Sequence, residues 1–187
     1  MLSLCALPTG GFVASTGNPG CGAAFYTLSN GQWSRVRAAE RLHGDAVRCL
    51  RVVDALPGGW VTASHDGTAR LWIGWDAASP DVEFVGHTAL VYSVCPSPDG
   101  SALVTGSEDG TAKVWDVASG ACTATLQHPA CVWDATWLPT GELVTACGDG
   151  VARCVAVCLR MVAPVCLTHA PCAAAFGHGT RPRLTRP

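Results

Sequence analysis

Polar and apolar positions alternate along "GGWVTASHDGTARLWI" at 58–73, with Trp60, Thr62 and Ser64 on one side of an extended chain and Val61 and Ala63 on the other. A period of two, bounded by Gly, Pro and Asp, marks β-strands joined by tight turns. The pattern returns as "SALVTGSEDGTAKVWD" at 101–116 and "GELVTACGDGVARCVA" at 141–156. No stretch carries a helical spacing of comparable length.

Each of these strand pairs follows a histidine with a valine four residues later: "HGDAVRCL" from His43, "HTALVYSV" from His87 and "HPACVWDA" from His128, at spacings of 44 and 41. Asp66 stands six residues before Trp72 and Asp109 six before Trp115, whereas the third copy keeps Asp149 but has Val155. Further strands are expected at "RVRAAERL", "DVEFVG" and "CTATLQ", each just before the next histidine region. A weaker copy, "CALPTGGFVASTGNPGCGAAFYTL", lies at the N-terminus, with Asn18 near the aspartate position, Phe25 standing for tryptophan, and no upstream histidine. Four short strands every forty or so residues imply a radial array of small sheets.

The recurrence of Gly86-His87 with Trp115-Asp116 resembles the WD-repeat β-propeller family. The resemblance implies an all-β chain of WD-type four-stranded blades, an incomplete propeller of three to four blades. It places a weak partial blade at 1–41 and three blades at 42–158 with the last degenerate, while a composition that departs from the repeat and ends basic and proline-rich predicts a disordered tail at 159–187. It also implies a structural hydrogen-bond brace in each blade: Trp72, Ser64, His43 and Asp66, then Trp115, Ser107, His87 and Asp109. With Cys147 and Val155 in place of serine and tryptophan, the third brace is expected to be broken. An open arc leaves apolar faces and strand edges uncovered, which predicts self-association.

His87, Asp109 and Ser107 could instead form a catalytic triad. The same residue types recur as His43, Asp66 and Ser64, and a scaffold needs one brace per blade where an enzyme seldom needs one triad per blade. The chain is therefore read as non-catalytic, with no metal and no cofactor. "GGFVASTGNPGCG" lacks the Gly-Lys-Ser/Thr ending of a phosphate loop, and "EDG" lacks the oxygen ligands of an EF-hand.

Positions beside the brace are expected to face a protein partner. Arg48, Tyr92 and Trp133 follow the valine of the first strand, and His65, Glu108 and Gly148 precede the turn aspartate. Tyrosine, tryptophan and arginine are the residue types enriched among interface hot spots, while aromatics also fill cores, so the alternative for Tyr92 and Trp133 is packing between neighbouring blades. A narrower resemblance lies in "VWDATWLPTGELVTACGDGVAR" and in "GHTALVYSVCPSPDGSALVTGSEDGTAKVWDVASGAC", which are similar to the last two propeller blades of the phospholipase A-two-activating protein and ubiquitin-fusion-degradation family. It implies ubiquitin binding and service to a hexameric segregase ATPase in ubiquitin-dependent protein degradation. A general WD-repeat adaptor for another complex is the alternative.

Composition narrows the partners further. With 12 basic and 14 acidic residues and a net charge of -2, no general field favours nucleic acid or an anionic membrane. The apolar stretch from Val155 to Phe176 is interrupted by Arg160, Pro164, His169 and Pro171, which argues against a membrane span. "MLSLCALPTGG" lacks a basic start, so a cytosolic or nuclear location is expected. The 11 cysteines form no C-x-x-C pair and are read as free thiols; Cys154, Cys158, Cys166, His169 and Cys172 match no common zinc spacing.

Overall fold

The computed structural model describes residues 3–156 apart from Thr9, Asn18 and Ala77. The aspartate-like position assigned to Asn18, the expected tail at 159–187 and the cysteines beyond Cys154 lie outside the described residues. Strand β1 spans Leu4–Ala6, β2 Phe12–Ser15, β3 Ala23–Ser29 and β4 Gln32–Ala39. Sheet two holds β5 (Val47–Val53), β6 (Gly59–Ser64), β7 (Thr68–Ile73) and β8 (Val82–Val85). Sheet three holds β9 (Val91–Pro96), β10 (Ala102–Ser107), β11 (Thr111–Asp116) and β12 (Cys122–Gln127). Sheet four holds β13 (Val132–Trp137), β14 (Glu142–Cys147) and β15 (Ala152–Ala156).

Among the described residues every sheet is an antiparallel meander in chain order, three of four strands and one of three. The residues expected to make only a weak partial blade thus form a complete four-stranded sheet. The first strands β1, β5, β9 and β13 lie side by side, so the sheets fan out from a common axis as blades. Direct bonds tie these inner strands: Leu50 N–H donates to Ser3 Oγ at 3.3 Å, and Ala135 N–H to Ser93 Oγ at 3.1 Å.

The core sits between blades rather than inside one. Val13, Phe25, Leu50, Trp60 and Trp72 fill the first gap; Val61, Leu71, Phe84, Leu103 and Trp115 the second; Val104, Val114, Val132, Trp137 and Leu143 the third. Burial on both faces explains why β6 and β10 are buried along all six residues, so their alternation separates two neighbours rather than core from solvent. Only where a face is uncovered does the pattern alternate, as along β14. The chain turns between the second and third strands at Asp-Gly, with Gly67 and Gly110 both at positive φ. That left-handed conformation costs glycine little.

Register corrects one expectation. Trp60 pairs with Trp72 and Leu103 with Trp115, and the equivalent pair in the first blade is Phe12 with Tyr26, whose rings stack at 4.7 Å. Tyr26 therefore occupies the tryptophan position. Phe25 faces the other way, into the gap with the second blade, where it meets Trp60 edge-on at 5.7 Å. Among the described residues no helix is long and apolar enough to cross a membrane.

Candidate protein-interaction site

The histidines, turn aspartates and bulged strand ends all gather at one end of the blades. In the third blade, Trp115 Nε1–H donates to Thr105 Oγ1 at 2.8 Å, Thr105 meets His87 Nε2 at 2.7 Å, and His87 Nδ1 meets Asp109 Oδ2 at 2.8 Å. A neutral imidazole with its proton on Nδ1 satisfies every member: the indole donates to threonine, threonine to histidine, and histidine to aspartate. Burial holds His87 below its ordinary value despite the Asp109 carboxylate, which keeps the ring neutral. Burial alone would raise Asp109, but hydrogen bonds from Thr111, His87 and the Thr88 N–H outweigh it and bring the carboxyl down to about 2. The second blade repeats the arrangement, with Trp72, Thr62, His43 and Asp66 joined at 3.0, 2.7 and 2.9 Å.

The hydroxyl in this chain is thus threonine, not Ser64 or Ser107 as the resemblance implied. Ser107 Oγ donates to Leu90 O at 2.9 Å and accepts the Asp109 N–H at 3.2 Å; Ser64 does the same with Asp45 O and the Asp66 N–H. The serines tie the turn to the loop ahead of the first strand. Ser107 is bonded away from His87, and its oxygen is buried, so the triad arrangement is not built. The signal for threonine was present in "WVTAS", "LVTGS" and "LVTAC", where it recurs in all three copies while serine gives way to Cys147.

In the fourth blade His128 Nε2 still meets Thr145 Oγ1 at 2.8 Å, but Asp149 is turned to Arg153, whose guanidinium donates to it at 3.1 Å. Cys147 is not the cause, because its thiol points to Ala130 O at 3.4 Å as serine does elsewhere. Three other changes are. Val155 offers no indole. Val151 replaces the threonine hydroxyl that bonds Asp66 and Asp109 at 2.7 and 2.6 Å. Pro129 has no N–H where Gly44 and Thr88 donate to the aspartate at 2.9 and 3.1 Å.

The positions expected to face a partner come together above the braces. Arg48, Tyr92 and Trp133 each sit where the first strand slips register against the second, between Val47 and Cys49, Val91 and Ser93, and Val132 and Asp134. Such bulges re-aim a side chain. Here they line up rings from three blades: His65 meets Tyr92 edge-on at 6.0 Å, and Tyr92 stacks on Trp133 at 4.7 Å. Trp133 lies over Gly148, where a Cβ would come within 3.3 Å of the indole nitrogen. Burial and the Glu108 carboxylate, which accepts the phenol's hydrogen bond, raise Tyr92 above its ordinary value, while the charge of Arg48 acts the other way. Trp133 stays 51% exposed although stacked on one face, so the free face is available to a partner.

Sequence reasoning missed a cleft beside this row. It opens between the 65–67 turn of the second blade and the 87–90 loop of the third, has Glu108 at its rim, and has a volume of about 260 Å³. It forms between blades, so no single repeat shows it. Among the described residues no group of three His, Cys, Asp or Glu side chains is arranged to hold a metal ion.

Antiparallel blades fanned about an axis, each with an indole-to-carboxylate brace where the sequence supplies its parts, define an arc of a β-propeller. The chain belongs to the WD-repeat family: the model of the WD domain, G-beta repeat, matches residues 40–72, 79–116 and 120–154, over half of its length. The ubiquitin homeostasis protein lub1 of Schizosaccharomyces pombe is 32% identical over 121 residues, covering 62% of this chain and 16% of that protein. A ribosome biogenesis protein BOP1 homolog of Drosophila melanogaster is 42% identical over 67 residues, covering 34% of this chain and 8% of that protein. The chain thus spans only a small part of the relatives it matches. Proteins built from WD repeats generally act as scaffolds for protein–protein contacts rather than as catalysts.

Proposed function

We propose that this chain is a non-catalytic recognition scaffold whose partner is ubiquitin, in the service of ubiquitin-dependent protein degradation. The observation that carries the reading is the stacked Tyr92–Trp133 pair, bridging two blades with half of Trp133 open to solvent and Glu108 and Arg48 beside it. An exposed aromatic anchor rimmed by charges is the composition of an interface hot spot. The similarity to lub1, whose name refers to ubiquitin homeostasis, supports the choice of partner. The same reading extends to a segregase ATPase complex as the machinery served. It places the work in the cytosol or nucleus, in keeping with the buried thiols of Cys49 and Cys147, which form no disulfide.

Titrating labelled ubiquitin with the full chain tests this by NMR. Dose-dependent shifts are expected, with Trp133→Ala weakening binding by about tenfold or more. An absence of shifts with folded protein would overturn the ubiquitin reading. The similarity to the ribosome biogenesis protein favours a second reading, an adaptor for a different complex. Co-purification that is unaffected by added ubiquitin would select it.

A further inference from the structure

The cleft between the second and third blades has the chemistry of a receptor for one positively charged side chain, an inference that rests on this end of the blades being the protein-binding end. Its volume is about 260 Å³. Small-molecule sites begin at roughly 300 Å³ and most are larger, so the space suits a single long side chain better than a whole ligand.

The lining offers acceptors and negative charge. Asp66 and Glu108 line it, and no lysine or arginine does. Asp66 is held ionised by hydrogen bonds from His43, Thr68 and the Gly44 N–H, which outweigh its burial. Its neighbour beyond Glu108, Asp109, is ionised in the same way. Two carbonyls point towards Gly67: its Cβ position would lie 3.4 Å from Ala89 O and 3.8 Å from His87 O. Of the nearby cations, Arg48 acts on Tyr92, Arg70 pairs with Glu83 at 2.8 Å, and Lys113, whose charge reaches His87, donates to Thr125 Oγ1 at 3.1 Å.

The walls are also fixed in advance. Leu90 O accepts both the Glu108 N–H and the Ser107 hydroxyl at 2.9 Å, and Thr88 N–H donates to Asp109 at 3.1 Å. The Tyr92 phenol, hydrogen-bonded to Glu108, restrains the carboxylate. Little order therefore has to be created on binding. Ala89 and Leu90 supply apolar contact for methylenes, and a carboxylate on the rim supplies the counter-charge.

We infer that this cleft receives a lysine or arginine side chain of the protein partner, its methylenes against Ala89 and Leu90 and its cationic head at Glu108. The aromatic row would then hold the partner's apolar surface, while the cleft fixes its position along the row.

The test uses the isotope-labelled full chain and three capped pentapeptides, Gly-Gly-X-Gly-Gly, with X as lysine, arginine or norleucine. Lysine and arginine peptides are expected to shift the amides of 65–67, 87–90 and 108, with norleucine, which matches the lysine stem without its charge, leaving them in place. Glu108→Gln should weaken the lysine peptide at least fivefold without moving the melting temperature, since Glu108 is exposed. Norleucine binding as well as lysine, no shift with either cationic peptide, or an unaffected Glu108→Gln variant would each overturn the inference. Ubiquitin titration separates the two proposals. Lysine binding without ubiquitin binding removes the ubiquitin reading alone, and ubiquitin binding that survives Glu108→Gln, with no peptide shifts, removes this one alone.

Discussion

The third and fourth blades share a histidine, a threonine, a turn aspartate and the same strand register, yet only the third completes its brace. In the third, Trp115, Thr105, His87 and Asp109 form one continuous chain of hydrogen bonds, and both faces of the sheet are covered. In the fourth, His128 and Thr145 keep their bond while Asp149 is drawn to Arg153 and no indole reaches the threonine. The brace depends on groups around the aspartate as much as on the aspartate itself. A backbone N–H after the histidine and a threonine after the Asp-Gly turn hold the carboxylate in place; Pro129 and Val151 remove both. Losing these two donors frees the aspartate to choose a cation four residues on.

The largest difference between the two blades should appear on removing the shared threonine. Thr105→Val preserves shape but strips the partner from two buried groups, Trp115 Nε1 and His87 Nε2, for a cost of about 2–4 kcal/mol. Thr145→Val leaves only His128 Nε2 to lose its partner, for about 1–2 kcal/mol. Urea midpoints of the two variants measure the contrast. Equal losses would mean that the bond from the Trp115 indole to Thr105 adds nothing to stability.

Much of this architecture could be read from spacing alone. Period-two runs such as 101–116, with Asp-Gly turns between them, located the strands, and the residue after each first-strand valine located the bulged Arg48, Tyr92 and Trp133. What spacing could not decide was which hydroxyl an indole reaches. Thr105 and Ser107 point to the same side of β10, and cross-strand geometry separates them: Thr105 pairs with Lys113, placing it diagonally from Trp115 and within reach of the ring. The first blade hid its register in the same manner. Adjacent Phe25 and Tyr26 are both aromatic, so pairing with Phe12, not composition, identifies Tyr26 as the tryptophan equivalent. The cleft was invisible for a different reason, because its two walls come from different repeats of the chain.

Acid should separate the blades next. His87 is lowered in the folded state, so as pH falls below about 6.5 the unfolded chain takes up the proton first, and stability declines from there. Asp109 is lowered to about 2 from 3.8; its contribution is complete above about pH 4 and is lost as pH falls towards 2. Both groups therefore weaken the fold in acid, with the Asp109 stage on the order of 1–2 kcal/mol. Denaturation across pH 7 to 2 should show the later stage disappear in Asp109→Asn. In Asp149→Asn the profile should change less: hydrogen bonds from Arg153 also hold the Asp149 carboxyl well below the ordinary carboxylate range, but the pair is exposed and solvent screens most of that gain.

The smallest effect, and the sharpest, is expected from rebuilding the missing brace. Val155→Trp restores a donor for Thr145, Val151→Thr a hydroxyl for Asp149, and Pro129→Gly the N–H that the second and third blades use. Singly, each supplies one end of a chain whose other end is absent, and Arg153 still competes for Asp149. Together they give the carboxylate two donors on the side of His128, so the triple variant should raise the urea midpoint beyond the sum of the singles and slow amide exchange along 142–147. Strict additivity would show that the aspartate stays with Arg153 whatever the loop offers, and that the third blade's order comes from being covered on both faces rather than from its brace.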